Sequence, residues 1–223
     1  MFTGIIQATG TVAALEPRGG DLRITINTGK LPLADVTTGD SIAVSGVCLT
    51  ATDITDTGFS ADVSGETLAC TVTGDLAVNA AVNLEKALTL STPLGGHLVS
   101  GHVDGIGAVV SRAADSRSVR FAIEAPAELA RYIATKGSIC VDGVSLTVNQ
   151  VDGAVFGLNI VPHTLVETTL GDCRPGCKVN LEVDLVARYL ERLLLGDKAA
   201  QPGTSGGLTR EILEASGFGG KSE

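Results

Sequence analysis

The sequence predicts a mainly β protein: two copies of one small closed barrel in tandem, with an α-helix after the second. Three observations carry this. The chain repeats itself at a constant offset. Each half is a series of short alternating segments separated by Gly and Asp turn signals. Helical spacing of apolar residues appears only after the second copy ends.

Shifted by 97 residues, the chain matches itself without a gap from Thr3/Ser100 to Leu88/Leu185, with 24 identities in 86 pairs. Chance does not hold one offset over that length, and each half is far longer than a solenoid repeat, so the pattern is a duplicated domain. The identities cluster. Ser45-Gly-Val-Cys-Leu-Thr50 lies over Asp142-Gly-Val-Ser-Leu-Thr147, Glu66-Thr-Leu68 over His163-Thr-Leu165, and Val82-Asn-Leu-Glu85 over Val179-Asn-Leu-Glu182.

Residues 22–26 and 119–123 alternate with period two, and 41–44, 50–54 and 59–63 are further β-branched runs. Gly39-Asp40, Thr57-Gly58 and Asp152-Gly153 punctuate them, and 55–58 and 151–154 read as hairpin connections. About six strands per half suit a closed barrel, which leaves no exposed sheet edge. One short helix per half is expected at 32–37 and 126–135, with Pro126 at a position a first turn tolerates. The predicted divisions are 1–96, 97–185, a helix over 186–196, and a flexible tail over 197–223 with one short helix at 208–216. In the first helix Val186, Tyr189, Leu190, Leu193 and Leu194 form an apolar stripe and Gly196 is the stop.

Composition excludes several classes. With 44% hydrophobic and 18% charged residues the chain can bury a core, so extended disorder is excluded. No apolar stretch approaches the roughly 20 residues of a membrane helix. A net charge of −9 repels phosphate backbones, so nucleic acid is not an expected partner. The start, MFTGIIQATG, lacks the basic and apolar regions of a secretion signal. The five cysteines, Cys48, Cys70, Cys140, Cys173 and Cys177, are odd in number and read as reduced thiols, so a cytoplasmic setting is expected. Phosphate-binding glycine loops and serine-hydrolase elbows are missing, and Cys173 and Cys177 have no second pair to complete a zinc site. No metal site is expected.

What remains is a polar set at matched positions. Cys48 and Thr50 share one face of a strand, and Ser145 and Thr147 share the equivalent face. Asp62 and Glu66-Thr67, and Asn159 and His163-Thr164, follow the fifth strand of each half. They can bind a polyhydroxyl chain or cap a turn. His97 and His102 stand close together in a chain of three histidines. Imidazole can move a proton near neutral pH, although a buried, backbone-bonded role is equally open for His97.

Met-Phe-Thr-Gly-Ile-Ile at the start, Gly-Val-Cys-Leu-Thr, Glu-Thr-Leu, Gly-Gly-His-Leu-Val-Ser-Gly-His-Val-Asp-Gly and Asp-Gly-Val-Ser-Leu-Thr-Val closely resemble the riboflavin synthase family over residues 1–196. The resemblance implies two six-stranded Greek-key barrels and a C-terminal helix packed in the core of a homotrimer. It implies dismutation of two 6,7-dimethyl-8-ribityllumazine molecules to riboflavin and 5-amino-6-ribitylaminouracil, with no metal or organic cofactor. The active site is then expected between the N-barrel of one chain and the C-barrel of its neighbour, with lumazine synthase as a further partner. A non-catalytic lumazine-binding antenna protein is the alternative.

The resemblance also implies site residues. For the N-barrel they are Gly4, Ile5, Ile6, Cys48, Leu49, Thr50, Asp62, Val63, Ser64, Gly65, Glu66 and Thr67. For the C-barrel they are Gly101, His102, Val103, Lys136, Ser145, Leu146, Thr147, Ile160, Val161, Pro162, His163, Thr164 and Leu165. His102, Ser145, Thr147 and Cys48 are the expected catalytic groups. His102 and Ser145 are expected to aid proton transfer on the C-barrel side, with Cys48 and Thr50 lining the opposite ligand.

Overall fold

A computed structural model describes residues 1–201 of the chain; the expected helix at 208–216 lies outside the described residues. Residues 1–184 form one compact unit and the segment from Leu185 another. The first unit holds twelve antiparallel strands in two closed barrels. The N-barrel comprises β1 (Ala8–Arg18), β2 (Asp21–Asn27), β3 (Ser41–Val44), β4 (Val47–Ile54), β5 (Gly58–Val63) and β6 (Ala81–Lys86). The C-barrel comprises β7 (Gly105–Asp115), β8 (Ser118–Glu124), β9 (Ser138–Val141), β10 (Val144–Asp152), β11 (Val155–Ile160) and β12 (Lys178–Val183). Both close in the Greek-key order first, second, fifth, fourth, third, sixth.

Alternation explains the closure. Ile24 and Ile26 of β2 point inward to meet Phe59 and Ala61 of β5, while Arg23 and Thr25 point out. Phe121 and Ile123 repeat the arrangement opposite Phe156 and Leu158. Each such large side chain, fully removed from water, contributes about 1.5–3 kcal/mol.

The short helices differ from expectation. Residues 32–37 hold only turns, and after Pro126 there is a 3-10 segment, Ala127–Tyr132. Six residues that include Asp, Val and Thr cannot repay helix nucleation without packing. Two helices that the pattern did not predict follow the fifth strands: α1 (Gly65–Cys70) and α2 (Pro162–Glu167). The Ser64 hydroxyl caps the first by accepting from the Thr67 amide, and Pro162 opens the second.

The second unit contains α3 (Leu185–Leu194) and a 3-10 turn, Gly196–Ala200, where a flexible tail was expected to begin. Val186, Tyr189, Leu190 and Leu193 are exposed along α3. Gly196 follows the helix with φ +51°, the left-handed conformation glycine adopts without strain.

Candidate functional site

The hairpin tips β3–β4 and β9–β10 meet across a pseudo-twofold axis. Ser45 and Asp142 both have φ +45°, and a Cβ on Gly46 would lie 2.8 Å from the Gly143 amide nitrogen. Only glycine permits that approach. Asn83 donates to the Asp142 carbonyl and Asn180 to the Ser45 carbonyl, both at 2.8 Å. Asp142 is buried here, and its carboxyl accepts the Asn180 amide; burial pushes its pKa up to about 7.

The segments preceding the barrels then cross over. Glu85 of β6 holds the first arm: one carboxylate oxygen accepts from the Thr3 amide and hydroxyl at 2.7 and 2.6 Å, the other from the Gly4 amide at 3.0 Å. Glu182 of β12 holds Ser100 and Gly101 in the same way. Burial raises both carboxyls, and these hydrogen bonds oppose the rise. Held there, the Gly4 carbonyl accepts from the Ser145 amide at 2.7 Å, on the C-barrel. The Gly101 carbonyl accepts from the Cys48 amide at 2.8 Å, on the N-barrel. Phe2 and Val99, equivalent by the repeat, pair with each other at the crossing, and Phe2 is fully buried.

This corrects the expected grouping. Gly4, Ile5 and Ile6 belong to the C-barrel face, with Ile6 packed on the C-barrel core, and Gly101, His102 and Val103 belong to the N-barrel face, with Val103 packed on the N-barrel core. His102 therefore stands with Cys48, not with Ser145. The linear repeat aligns the two arms correctly but does not say which core each one covers.

The N-barrel face is a cavity of about 250 Å³ lined by Val47, Cys48, Glu66, Thr67, Cys70, Thr71, Gly101, His102 and Val103. The Cys48 side chain is half-buried, and Thr50 lies exposed two residues along β4. Asp62 is bound by Arg23 and Arg18, and Gly65 opens α1. Leu49 and Val63 are in the core, so only their backbone can face a ligand. Cys70, at the end of α1, was not among the expected site residues.

The C-barrel face centres on Ser145. Its hydroxyl lies 2.7 Å from His97 Nδ1, a residue that sequence reasoning left undecided. A Cβ on Gly96 would meet the Thr3 carbonyl oxygen at 2.1 Å, so this glycine lets the chain bring His97 in. His97 Nε2 is buried with no hydrogen-bond partner among the described residues. Burial lowers the His97 pKa, with Asp184 opposing, so the ring is neutral at pH 7 and able to accept the serine proton. Thr147 is exposed on the same face as Ser145, while Leu146 packs against the core. Ile160 is buried, Val161 and Pro162 lead into α2, and His163, Thr164 and Leu165 form its first turns. Lys136 lies in the exposed turn before β9 with φ +69°, and none of the contacts above brings it to this face within one chain.

The duplicated barrel thus carries one polar face per copy, each completed by the arm of the other half, the arrangement of a protein with two matched small-molecule faces. Residues 3–87 and 100–184 each match the lumazine binding domain. Riboflavin synthase of Photobacterium phosphoreum is 48% identical over 218 residues, covering 98% of this chain and 99% of that protein. The Bacillus subtilis riboflavin synthase is 40% identical, covering 98% and 100%. The crystal structure of LumP complexed with riboflavin superposes with a TM-score of 0.75 at 25% identity, covering 82% of this chain and 99% of that one. The chain belongs to the riboflavin synthase family.

Proposed function

We propose that the protein is a riboflavin synthase, a transferase that joins two molecules of 6,7-dimethyl-8-ribityllumazine. One gives up a four-carbon unit to the other, yielding riboflavin and 5-amino-6-ribitylaminouracil. The observation that carries this is the retention of a polar face in both barrels: Cys48, Thr50 and His102 on one, Ser145, Thr147 and His97 on the other. A single-site antenna, the alternative reading, does not require both.

The residues suit the chemistry. The ligand ring is its own electron sink, so the protein supplies position and proton transfer. The 7-methyl group of one molecule must lose a proton, and the neutral His97 beside the Ser145 hydroxyl is the pair best placed to take it. His102 and Cys48 face the ligand on the other barrel, where a nucleophile or proton donor acts at the second ring.

The two faces lie on different barrels, so stacking two ligands calls for a neighbouring chain that presents its C-barrel to this N-barrel. The exposed apolar side of α3 supports a homotrimer, since Leu190 and Leu193 gain about 1.5–3 kcal/mol each on being covered. A cytoplasmic location and an association with lumazine synthase, which supplies the substrate, complete the proposal. Among the described residues all five cysteines are free, which suits a reducing compartment.

The test is to mix purified chain with the lumazine and follow riboflavin fluorescence. One riboflavin per two lumazines consumed is expected. Binding without turnover overturns the enzyme reading in favour of the antenna.

A further inference from the structure

The turn that leads into the last strand has one backbone plan in both halves. In the C-barrel the Cys173 amide donates to the Leu170 carbonyl, the Cys177 amide to Arg174 and the Gly176 amide to Val109, whose own amide donates to the Cys177 carbonyl. In the N-barrel Leu76 donates to Thr73, Ala80 to Ala77, Asn79 to Val12, and Val12 to Ala80. Gly176 and Asn79 both adopt the left-handed conformation, at φ +94° and +72°. Leu76 and Ala80 pack on the N-barrel core as Cys173 and Cys177 pack on the C-barrel core. The turn therefore folds without sulfur, and packing alone does not call for two thiols.

The side chains around the two turns diverge together. Cys173 replaces Leu76, Cys177 replaces Ala80, Arg174 replaces Ala77 and Arg112 replaces Leu15. The Cys177 sulfur accepts the Arg174 amide at 3.4 Å, which folds it back over the peptide joining Cys173 to Arg174, and the two thiols are in hydrogen-bond contact. Arg112 and Arg174 both donate to the Gly171 carbonyl, at 3.4 and 3.0 Å, and Arg174 also donates to the Cys173 carbonyl at 2.9 Å. Two guanidiniums thus stand beside a dithiol. Cys173 is buried and Cys177 half-buried. Of the other cysteines, Cys140 is buried, and Cys48 and Cys70 line the cavity of the N-barrel face.

We propose that Cys173 and Cys177 form a redox-modification site: a small anionic disulfide converts the pair to an intramolecular disulfide that staples the connection between α2 and β12, and small thiols reverse it. Cys177, the more accessible, attacks one sulfur of the reagent as thiolate; the reagent's S–S bond breaks and one thiol leaves. Cys173 then gives up its proton, attacks the Cys177 sulfur and expels the second thiol. The protein loses two electrons and two protons, and the reagent takes up both as it becomes two thiols. The guanidiniums give the anionic reagent a counter-charge. Burial raises the Cys173 thiol, with Arg174 opposing, so the reduced state gains nothing from a buried thiolate that would make the staple easy to reduce. Where small thiols prevail the pair rests as a dithiol, and it closes when their disulfide accumulates.

The test incubates the full-length protein with oxidised and reduced glutathione at a series of ratios, traps remaining thiols with N-ethylmaleimide and maps the products by mass spectrometry. The wild type should show a link between Cys173 and Cys177, lighter by two hydrogens than the reduced peptide and closed to maleimide. Cys173→Leu, which copies Leu76, should stop at one glutathione on Cys177. Cys177→Ala, which copies Ala80, should leave the buried Cys173 without glutathione. Oxidation should raise the thermal unfolding midpoint of the wild type by roughly 4–8 °C, and reduction should restore it. The double variant Cys173→Leu with Cys177→Ala should show neither the link nor the shift. Both residues still open to maleimide in oxidised glutathione alone, or a link from either to Cys48, Cys70 or Cys140 in its place, overturns the site, and the wild-type map decides this whatever the variants do. A link with no rise in the midpoint overturns the staple.

Discussion

Replacing Asp142 by Ser copies into the second half what the first half already has at the pseudo-twofold axis. Ser45 there has the same backbone angle, φ +45°, and its hydroxyl accepts from the Asn83 amide as Asp142 accepts from the Asn180 amide. The substitution therefore keeps a hydrogen-bond acceptor and removes a buried ionisable group. An ordinary aspartate titrates near 3.9, whereas burial holds Asp142 at about 7. The folded state thus keeps its proton over a range in which the unfolded chain has lost it. Stability from this group is present at low pH, falls as pH rises from about 4 to about 7, and is level above. At about 1.4 kcal/mol per pH unit, the cost at pH 8 is roughly 4 kcal/mol, an upper figure because the pocket can relax. Glu85 and Glu182 are raised in the same direction, but both are present in either protein and cancel in the comparison. Urea unfolding at fixed protein concentration, at pH 5 and pH 8, reads the difference directly. Asp142→Ser should gain relative stability between the two pH values, by up to about 2.7 kcal/mol, because two pH units of the window lie between pH 5 and pH 7. A difference between the proteins that is the same at both pH values would refute the reasoning.

Other consequences follow from the crossing arms and the Ser145–His97 contact. His97→Gln should lower turnover by roughly 10²–10⁴-fold and abolish the acid limb of the pH–rate profile; that limb lies below an ordinary histidine value in the wild type because burial lowers the pKa. A profile of unchanged shape would make His97 a packing residue. Phe2→Ala should cost about 3–5 kcal/mol in thermal or urea unfolding and should weaken ligand binding at both faces, because Phe2 buries at the point where the two arms meet. A fragment of residues 1–96 lacks Gly101 to Val103, so its lumazine face is incomplete as a monomer. The repeat lets the Gly4-Ile5-Ile6 arm of a second copy stand in, so binding should appear only at concentrations where sedimentation shows a dimer; tight binding by a monomer would contradict the arm exchange.

The barrels were legible because their signals are local: alternation in residues 22–26 and 119–123, and turn pairs such as Asp152-Gly153. The short helices were not, since six residues of α1 or α2 show no periodicity and form only against the barrel that carries them. The polar positions Cys48, Thr50, Ser145 and Thr147 stood out through the repeat, but their partners did not. Which barrel an arm covers is decided by contacts such as Ser145 to Gly4, with 140 residues of chain between them in sequence. His97 was ambiguous because a single imidazole next to a strand reads equally as a buried, backbone-bonded residue and as a proton carrier, and only the contact with Ser145 decides between them. The Glu85 and Glu182 identities were visible, yet a conserved-looking Val-Asn-Leu-Glu run reads equally as a strand, and only the three bonds at each carboxylate reveal that it holds an arm.

The account stands on each chain having two lumazine faces, each completed by the arm of the other half. Counting bound ligand by calorimetry with the product riboflavin, which occupies the faces without reacting, tests this most directly. The structure predicts two ligands per chain for the wild type, and a single site per chain once Cys70→Trp, at the exposed end of α1, fills the cavity that Gly101, His102 and Val103 complete over Cys48. One ligand per chain in the wild type, or loss of the Ser145 face instead of the Cys48 face in the variant, would contradict it.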